Sequence, residues 1–287
     1  MRANTNRAAA LDFGKLVDHY DAGRIPHNPL FVQRTADRLQ IAVSARRMEI
    51  GAGTGQLTGA LLAAGGELVA IEPSGPMAER LRLNRAADVM AGRLRILTQP
   101  FETLQPPDFK PFGQLWSSDA WHWIDPRAGY RLAAELLHPG GFLICSWRFP
   151  QLTDPDLQLQ MNGLYSKLSP DLVVDPGTYV SQIEPLLDEG RRQVNDSGYM
   201  AVADYWTESA LLDLPVSAYV DLQLSYAQIA ALTIDQRDEL AAGIYDVIQH
   251  AGNRPAISLT IWQYTVASSF SRRRTSASTL SVSRSTG

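Results

Sequence analysis

Short apolar runs alternate with amphipathic stretches over the first half of the chain. The runs have the length and composition of buried strands, and they lie at residues 46–50, 67–71, 94–98, 114–118 and 142–147. The stretches between them carry helical periodicity at residues 29–42, 56–64, 76–85 and 126–137. This order predicts an α/β fold in which a mostly parallel sheet is covered by helices on both faces.

The pattern changes after Trp147. Residues 150–196 form irregular helical segments interrupted by prolines, residues 198–206 alternate like a strand, and residues 211–252 are helical again. Residues 256–270 alternate over a length that predicts a final strand. We expect the two late strands to extend the sheet as an antiparallel pair. The helices between them would then form a cap over the ligand-binding edge of the sheet.

A glycine-rich stretch, EIGAGTG at residues 49–55, joins the first predicted strand to a helix. Glycine at every second position permits a sharp turn and leaves no Cβ where a ligand lies against the main chain. The N–H groups that begin the following helix face such a ligand. Glu72 ends the second predicted strand, where a carboxylate can accept hydrogen bonds from both hydroxyls of a ribose.

Spacing separates the cofactor classes that use such a loop. The dinucleotide fingerprint G-x-G-x-x-G fails, because its third glycine would fall on Gln56 or Thr58. No Lys-Ser/Thr pair follows the glycines, which excludes a P-loop. A glycine-rich turn without any cofactor is the simpler alternative. The flanking strand and helix, together with the acid at the next strand end, favour a nucleoside-containing ligand.

Composition narrows the classes of function. The 287 residues suit one large domain or a core with a cap, and 45% hydrophobic content is enough for a sizeable core. The formal net charge of -4 provides no general attraction for nucleic acid. Cys145 is the single cysteine, which rules out an intramolecular disulfide and fits a reducing compartment. No apolar run suits a membrane span or a signal peptide, so we expect a cytoplasmic protein.

Several segments together resemble one family, the class I S-adenosyl-L-methionine (SAM) methyltransferases, and within it the UbiE-like or type 11 group near trans-aconitate methyltransferase. The resemblance covers roughly residues 13–150 well and the cap loosely. It is carried by YDAGRIP at 20–26, MEIGAGTGQLTGALLAAGGELVAIEPSGPM at 48–77, FETL at 101–104, DAWHWIDP at 119–126 and LLHPGGFLICSW at 136–147. It implies a Rossmann-like, doubly wound seven-stranded sheet, mostly parallel with an antiparallel last strand, and a helical cap.

Pattern and resemblance together divide the chain into four parts. Residues 1–10 are expected to be disordered, and residues 11–149 to form the SAM-binding core. Residues 150–270 are expected to supply the cap, the substrate region and the last two strands. Residues 271–287, rich in Ser, Thr and Arg, are predicted to be a disordered tail.

The resemblance implies a cofactor site along the ends of the strands. In it, Glu49 orients the loop or binds the methionine amino group, and Glu72 takes the ribose hydroxyls. Arg24 pairs with the methionine carboxylate beside Tyr20. Pro100 stands where the family often has an Asp that binds the adenine amino group, so either Glu102 replaces that contact or the contact is missing. The implied set is Tyr20, Arg24, Glu49, Gly51, Ala52, Gly53, Gly55, Glu72, Pro73, Met77, Pro100, Phe101, Glu102, Ser118 and Trp121.

The segment WSSDAWHW at residues 116–123 lies where the resemblance places the transferred methyl group. Family members commonly carry Gln at the position of Asp119, and a carboxylate there either stabilises a sulfonium or activates a nucleophile. His122 is a general base or a hydrogen-bonded scaffold residue. Simpler roles also exist for Arg24 as a surface residue and for Met77 as a packing residue. No metal site is indicated.

The resulting hypothesis is methyl transfer from SAM to a small molecule, at O, N or C, in secondary metabolism, with S-adenosyl-L-homocysteine (SAH) as product. Methylation of a quinone or isoprenoid precursor is the alternative within the enzyme class. A non-catalytic SAM-binding protein and a NAD enzyme are the alternatives outside it. Neither a nucleic-acid partner nor a membrane partner is expected, and homo-oligomer formation stays open.

Overall fold

Seven strands form one sheet in the computed structural model, which describes residues 16–174, 179–252 and 255–268. The predicted disordered segments 1–10 and 271–287 lie outside these residues. The strands are β1 (Arg47–Ile50), β2 (Leu68–Ile71), β3 (Leu94–Leu97), β4 (Phe112–Ser118), β5 (Leu137–Leu152), β6 (Met200–Asp213) and β7 (Ala256–Ser268).

Helices connect these strands and extend beyond them. They are α1 (Val17–Gly23), α2 (Pro29–Leu39), α3 (Thr58–Ala63), α4 (Gly75–Asn84), α5 (Ala86–Met90), α6 (Pro126–Leu136), α7 (Pro155–Leu168), α8 (Tyr179–Ser197), α9 (Val216–Leu224) and α10 (Ile234–His250). Polar caps fix several starts: the Asn28 side chain accepts from the Leu30 amide, and Thr233 forms a capping box with Gln236.

The strand order is β3-β2-β1-β4-β5-β7-β6. The strands from β3 to β5 pair in parallel, whereas β7 pairs antiparallel with both β5 and β6. The predicted α/β, Rossmann-like, seven-stranded sheet with an antiparallel last strand is confirmed. In such a sheet ligands bind outside the carboxyl ends of the parallel strands.

Both faces of the central sheet are buried, which is why the central strands read as continuous apolar runs. Met48 and Ile50 on β1 point into a core formed with Tyr130 and Ala133 of α6. On the opposite face, Ala70 and Trp116 belong to a second core with side chains of α2, α3 and α4. The two layers hold the strand ends of β1, β2 and β4 at one edge.

The long strands β5 and β6 differ from the sequence prediction. β5 runs to Leu152, and its last residues pair with β7. β6 continues to Asp213, so the expectation of helix from residue 211 is wrong for residues 211–213. Pairing with β7 satisfies their backbone groups to the end of the strand, and the next helix begins only after Pro215.

The cap is attached to these strand extensions. Leu152 of β5 and Ile257 of β7 share a buried cluster with Met161 of α7 and Ile244 of α10. Leu16, directly before α1, lies in the same cluster. The cap therefore joins the chain's first described helix to the far ends of β5 and β7.

Candidate active site

The loop between β1 and α3 lies at the carboxyl edge of the sheet with its glycines in left-handed conformations. The φ angle is 72° at Gly51, 58° at Gly53 and 106° at Gly55. A Cβ on Gly51 would lie 2.3 Å from Ala120 Cβ, and a Cβ on Gly55 would lie 2.7 Å from Leu81 Cδ1. These two positions therefore need glycine for space as well as for backbone conformation.

Glu72 follows β2, and its carboxylate faces this loop. Oε2 accepts a hydrogen bond from the Gly53 amide and Oε1 accepts one from the Ser74 amide, both at 2.8 Å. The Ala52 amide donates to the Ile71 carbonyl at 3.1 Å, which holds the loop against the end of β2. Burial raises the pKa of Glu72, and the two backbone donors oppose that rise. A carboxylate has further lone pairs, so Glu72 can still accept hydrogen bonds from a ligand's hydroxyls.

Glu49 lies in β1 beneath the loop. It is 2% exposed, and its Oε2 accepts a hydrogen bond from Thr58 Oγ1 at 2.6 Å. Burial raises its pKa to about 8. Glu49 is thus linked to the end of the loop by its hydrogen bond with Thr58, the first residue of α3.

The residues expected at the adenine end lie on α4 and in the turn after β3. Met77 and Phe101 are both buried, and Phe101 packs against Trp121 with ring centroids 5.9 Å apart. Pro73 and Pro100 are half-buried at the starts of their segments. Their contacts with adenine stay predictions.

Glu102 is tied to the segment that precedes α6. Its Oε1 accepts a hydrogen bond from the Asp125 amide at 3.3 Å. The Asp125 side chain in turn caps α6 by accepting from the Ala128 amide. Glu102 is thus placed between the adenine end and the segment that carries Trp121 and His122.

Tyr20 of α1 covers the glycine loop, and Arg24, directly after α1, lies beside Tyr20. A Cβ on Gly53 would lie 3.2 Å from Tyr20 Cε1. The Arg24 guanidinium lies 5.2 Å from the Tyr20 ring centroid and 4.7 Å from that of Tyr226, and its Nη2 donates to the Ser225 carbonyl at 3.3 Å. Arg24 Nε is buried and has no hydrogen-bond partner among the described residues. This free donor suits an anionic group of a ligand.

Helix α1 is attached to the core and to the cap at once. Arg80 Nη1 of α4 contacts Asp21 Oδ2 at 3.0 Å, and Asn84 Nδ2 donates to Asp21 Oδ1 at 2.7 Å. On the cap side, His19 Nδ1 lies 2.8 Å from Asp221 Oδ1 of α9. Polar contacts on two sides thus hold Tyr20 over the loop.

A buried ion pair joins Asp119, directly after β4, to Arg148 within β5. Asp119 Oδ2 accepts from Arg148 Nε at 2.7 Å and lies 2.6 Å from Nη2, and Oδ1 accepts from the Arg148 amide at 2.8 Å. Arg148 Nη1 also donates to the Ile25 carbonyl. Burial alone would raise the pKa of Asp119, but Arg148 and Arg24 outweigh it and lower this pKa. A carboxylate stabilised in this way is a poor base, which disfavours the nucleophile-activating role for Asp119.

His122 accepts a hydrogen bond rather than standing free. Trp147 Nε1 donates to His122 Nδ1 at 3.1 Å. Burial lowers the pKa of His122 to about 4, against the opposing effect of Asp119, so the imidazole is neutral at pH 7. Trp121 is 3% exposed and packs on Tyr130 at 5.3 Å, which makes it part of the core.

Sequence reasoning missed three residues at this edge: His27, Arg148 and Tyr226. His27 Nε2 lies 2.9 Å from Ser118 Oγ, and burial lowers the His27 pKa to about 3. Arg148 directly follows the predicted fifth strand, so the rule about strand ends could have found it. Tyr226 comes from the cap, and no spacing in the sequence brings it to Arg24.

Neither a metal site nor a membrane helix emerges from residues 16–174, 179–252 and 255–268. They contain no group of three or more side chains placed to hold a metal ion. No helix in the same ranges is long and apolar enough to cross a membrane.

The core of the protein is similar in sequence to known methyltransferases. Residues 48–145 match the family model described as methyltransferase domain. The match covers about a third of the chain and includes β1 to β4 and part of β5. An uncharacterised methyltransferase of Mycobacterium tuberculosis strain H37Rv is 29% identical over 241 residues, which cover 83% of this chain and 88% of that protein. One from Geobacillus kaustophilus is 37% identical over 100 residues, or 34% of this chain and 44% of that protein.

A solved structure supports this fold. A protein described as a type II methyltransferase from Anaeromyxobacter dehalogenans superposes with a TM-score of 0.59 at 12% identity, covering 85% of this chain and 97% of the other. The matches do not distinguish the UbiE-like group from other class I enzymes.

SAM is the cofactor that the sequence resemblance implies for this domain. The residues present fit it in three ways. A Cβ added at Gly51 or Gly55 would collide with neighbouring side chains, so the glycines keep the loop open. The Glu72 carboxylate faces this loop, and Arg24 Nε is a buried donor without a partner in the described chain.

Proposed function

We propose that this methyltransferase transfers the methyl group of SAM to a small-molecule acceptor in secondary metabolism, acting in the cytoplasm. One observation carries the proposal: the glycine loop after β1, Glu72 after β2 and the Asp119–His122 segment after β4 converge on one edge of the sheet. The loop and segment meet directly, because Gly51 leaves room for Ala120.

The side chains at this edge bind and orient the cofactor. When bound, SAM supplies a methyl group activated by its sulfonium. Glu72 is proposed to hold the ribose hydroxyls, and Arg24 to pair with the methionine carboxylate through the donor that has no partner in the described chain. Tyr20 closes the loop from above, which excludes water from the transfer.

The covering elements favour a small acceptor. Helix α1 and the segment after α9 meet over the edge through Arg24, Tyr226 and the Ser225 carbonyl. A macromolecule would have to displace this cover, and the net charge of -4 gives nucleic acid no general attraction. Positioning of the acceptor beneath the cover is the main catalytic contribution that this geometry supports.

Cofactor binding is tested at Glu72. Glu72→Ala should raise the dissociation constant of SAM and of SAH by about one to two orders of magnitude, because charge-assisted hydrogen bonds to the ribose are lost. Isothermal titration calorimetry measures both constants. SAH formation during incubation with a broad acceptor panel then tests catalysis.

The matched control is Glu79→Ala on the same helix region. Glu79 is exposed on α4 and contacts only Arg82 among the ion pairs of the described residues, at 3.3 Å. Its removal should leave the dissociation constant of SAM unchanged. Unaltered SAM affinity in Glu72→Ala would contradict the role of Glu72. SAM binding without turnover of any acceptor would favour a non-catalytic binding protein.

A further inference from the structure

The hydrogen bond between Trp147 and His122 determines where the imidazole carries its proton. An indole N–H is a donor only. Because Trp147 Nε1 lies 3.1 Å from His122 Nδ1, this nitrogen must present its lone pair. The proton of the neutral ring then resides on Nε2. While this bond lasts, His122 can donate a hydrogen bond from Nε2 but has no nitrogen free to take up a proton.

Trp147 is itself held in place. Its ring stacks on Tyr264 of β7 with centroids 5.4 Å apart and planes at 29°. The Tyr264 hydroxyl lies 2.9 Å from that of Tyr130 on α6. Trp147 also lies within the paired part of β5, opposite Trp262. The indole donor is therefore fixed by packing from a neighbouring strand and a helix.

The other titratable groups near His122 do not supply a base either. Asp119 is bound by the Arg148 guanidinium and amide, and Arg24 faces the same space as a cation. His27 Nε2 lies 2.9 Å from Ser118 Oγ, and its Nδ1 is buried with no hydrogen-bond partner among the described residues. Asp119, His27 and His122 are therefore poor proton acceptors: Asp119 is ion-paired, and both imidazoles are buried with lowered pKa values.

Given the proposed function, we propose that Trp147 is a positioning residue that keeps His122 as an Nε2–H donor, and that the acceptor is an organic oxyanion. An acceptor oxygen that arrives ionised forms the O–CH₃ bond with its own lone pair. The C–S bond breaks, and its electrons go to sulfur. The negative acceptor and positive donor become two neutral centres, and no proton has to leave. Carboxylates and acidic enols or phenols, ionised at neutral pH, belong to this class.

Nuclear magnetic resonance of ¹⁵N-histidine-labelled protein tests the imidazole directly. The His122 ring, identified by the signals that disappear in His122→Gln, should keep a protonated Nε2 and a bare Nδ1 throughout pH 5 to 9 in the wild type. Trp147→Phe keeps the ring stack but removes the donor, so the His122 pKa should rise by about one unit or more and the two tautomers should mix. A proton on Nδ1 in the wild type would overturn the proposal.

Trp206→Phe is the control for loss of an indole N–H elsewhere. Trp206 lies on β6 with the Arg38 guanidinium 4.6 Å from its ring, away from His122. This variant should leave the His122 signals unchanged. An equal change in both variants would show that the effect does not come from the Trp147 bond.

Turnover with a panel of carboxylates, phenols and amines tests the acceptor class. Transfer should occur to ionised oxygen acceptors, and His122→Gln, which donates without titrating, should stay within about 10-fold of wild type while His122→Phe loses about 100-fold. A preference for amines, or a basic limb in the pH profile that His122→Gln abolishes, would overturn the proposal. Failure to turn over any acceptor despite SAM binding would count against the proposed function, while the imidazole signals still decide the role of Trp147.

Discussion

Asp119 has an unusual backbone conformation and also forms one side of a buried ion pair. Its φ of 56° lies in the left-handed region, which Asp tolerates better than most residues. Its carboxylate also meets Arg148 in a site where the two side chains are 15% and 6% exposed. Removing one charge of such a pair leaves the other buried and unpaired, so we expect the loss of either residue alone to destabilise the protein. The pair also connects β4 to the Ile25 carbonyl beyond α1.

Glu49 gives a pH-dependent stability with a definite sign. Its pKa is about 8 in the folded protein, against 4.5 for the free group. At pH values between these two pKa values, Glu49 holds a proton in the folded chain that it has released in the unfolded chain. The contribution of Glu49 to the free energy of unfolding therefore falls as pH rises, and it levels off above about 8. Glu49→Gln keeps an oxygen for Thr58 and should be more stable than wild type at pH 8 by on the order of 2 kcal/mol.

Urea unfolding of both proteins between pH 5 and 8.5 measures this effect, with the gap shrinking towards pH 5. The comparison uses the difference between the two proteins, because His27 acts in the opposite sense. Its pKa of about 3 lies below the usual 6.5, so its contribution is full above 6.5 and is lost as pH falls towards 3. A constant difference across the range would contradict the raised pKa of Glu49.

At the scale of elements, helix α1 depends on one close approach. A Cβ on Gly23 would lie 2.2 Å from the Asp221 carbonyl carbon and the Leu222 amide of α9. No side chain can be accommodated there without moving one helix off the other. Because Tyr20 and Arg24 flank this position, the α1–α9 contact sets how the loop is covered.

Gly23→Ala should therefore weaken SAH binding by at least about 10-fold and lower the melting temperature, since the added methyl group separates α1 from α9. Calorimetry and thermal unfolding provide the two measurements. Gly163→Ala is the matched control, because a Cβ there meets nothing within 4 Å and α7 should gain about 0.5–1 kcal/mol. SAH affinity as tight in Gly23→Ala as in wild type would show that α1 does not form part of the site.

The elements that the sequence predicts best are those with a strong local cause. β1 and β2 are short, fully buried and bounded by glycine or a polar turn, and their predicted ends agree within one residue. β6 was predicted to end seven residues too early, because its outer half is stabilised by pairing with β7 rather than by its own pattern. Tertiary pairing of this kind leaves no local signal.

The same distinction applies to the site. The glycine loop and Glu72 follow from spacing around a strand end, and the structure brings them to 2.8 Å. Tyr226 and the Trp147–His122 bond depend on where the cap and β5 lie in space. The protonation form of His122 therefore depends on the tertiary structure, whereas the sequence already indicates the residue itself.

At the scale of the whole molecule, core and cap share strands instead of a flexible linker. β5 and β7 run from the central sheet into the cap cluster around Leu152 and Ile257. Two salt bridges join α2 to β6 on the other side of the molecule. They are formed by Arg34 with Glu208 and by Arg38 with Asp204. We therefore expect the motion that admits a ligand to be greatest in α1 and in the segment after α9.

Hydrogen–deuterium exchange can test which segments respond to ligand binding. SAH should slow amide exchange in residues 17–24 and 216–226, which close over the loop, and leave the outer half of β6 unchanged, because that strand does not contact the site. Uniform protection of the whole chain would contradict a local closure, and no protection of residues 17–24 would contradict the cover.

The six tryptophans are unevenly placed with respect to this edge. Trp116 is fully buried, whereas Trp123 and Trp147 are partly exposed and flank His122. Indole fluorescence responds to the polarity around the ring, so a compound that replaces water beside these two rings would alter the emission of the unlabelled protein. The protein thus has an intrinsic fluorescence signal near this edge, and libraries of unmodified compounds can be screened with it before any product has been detected.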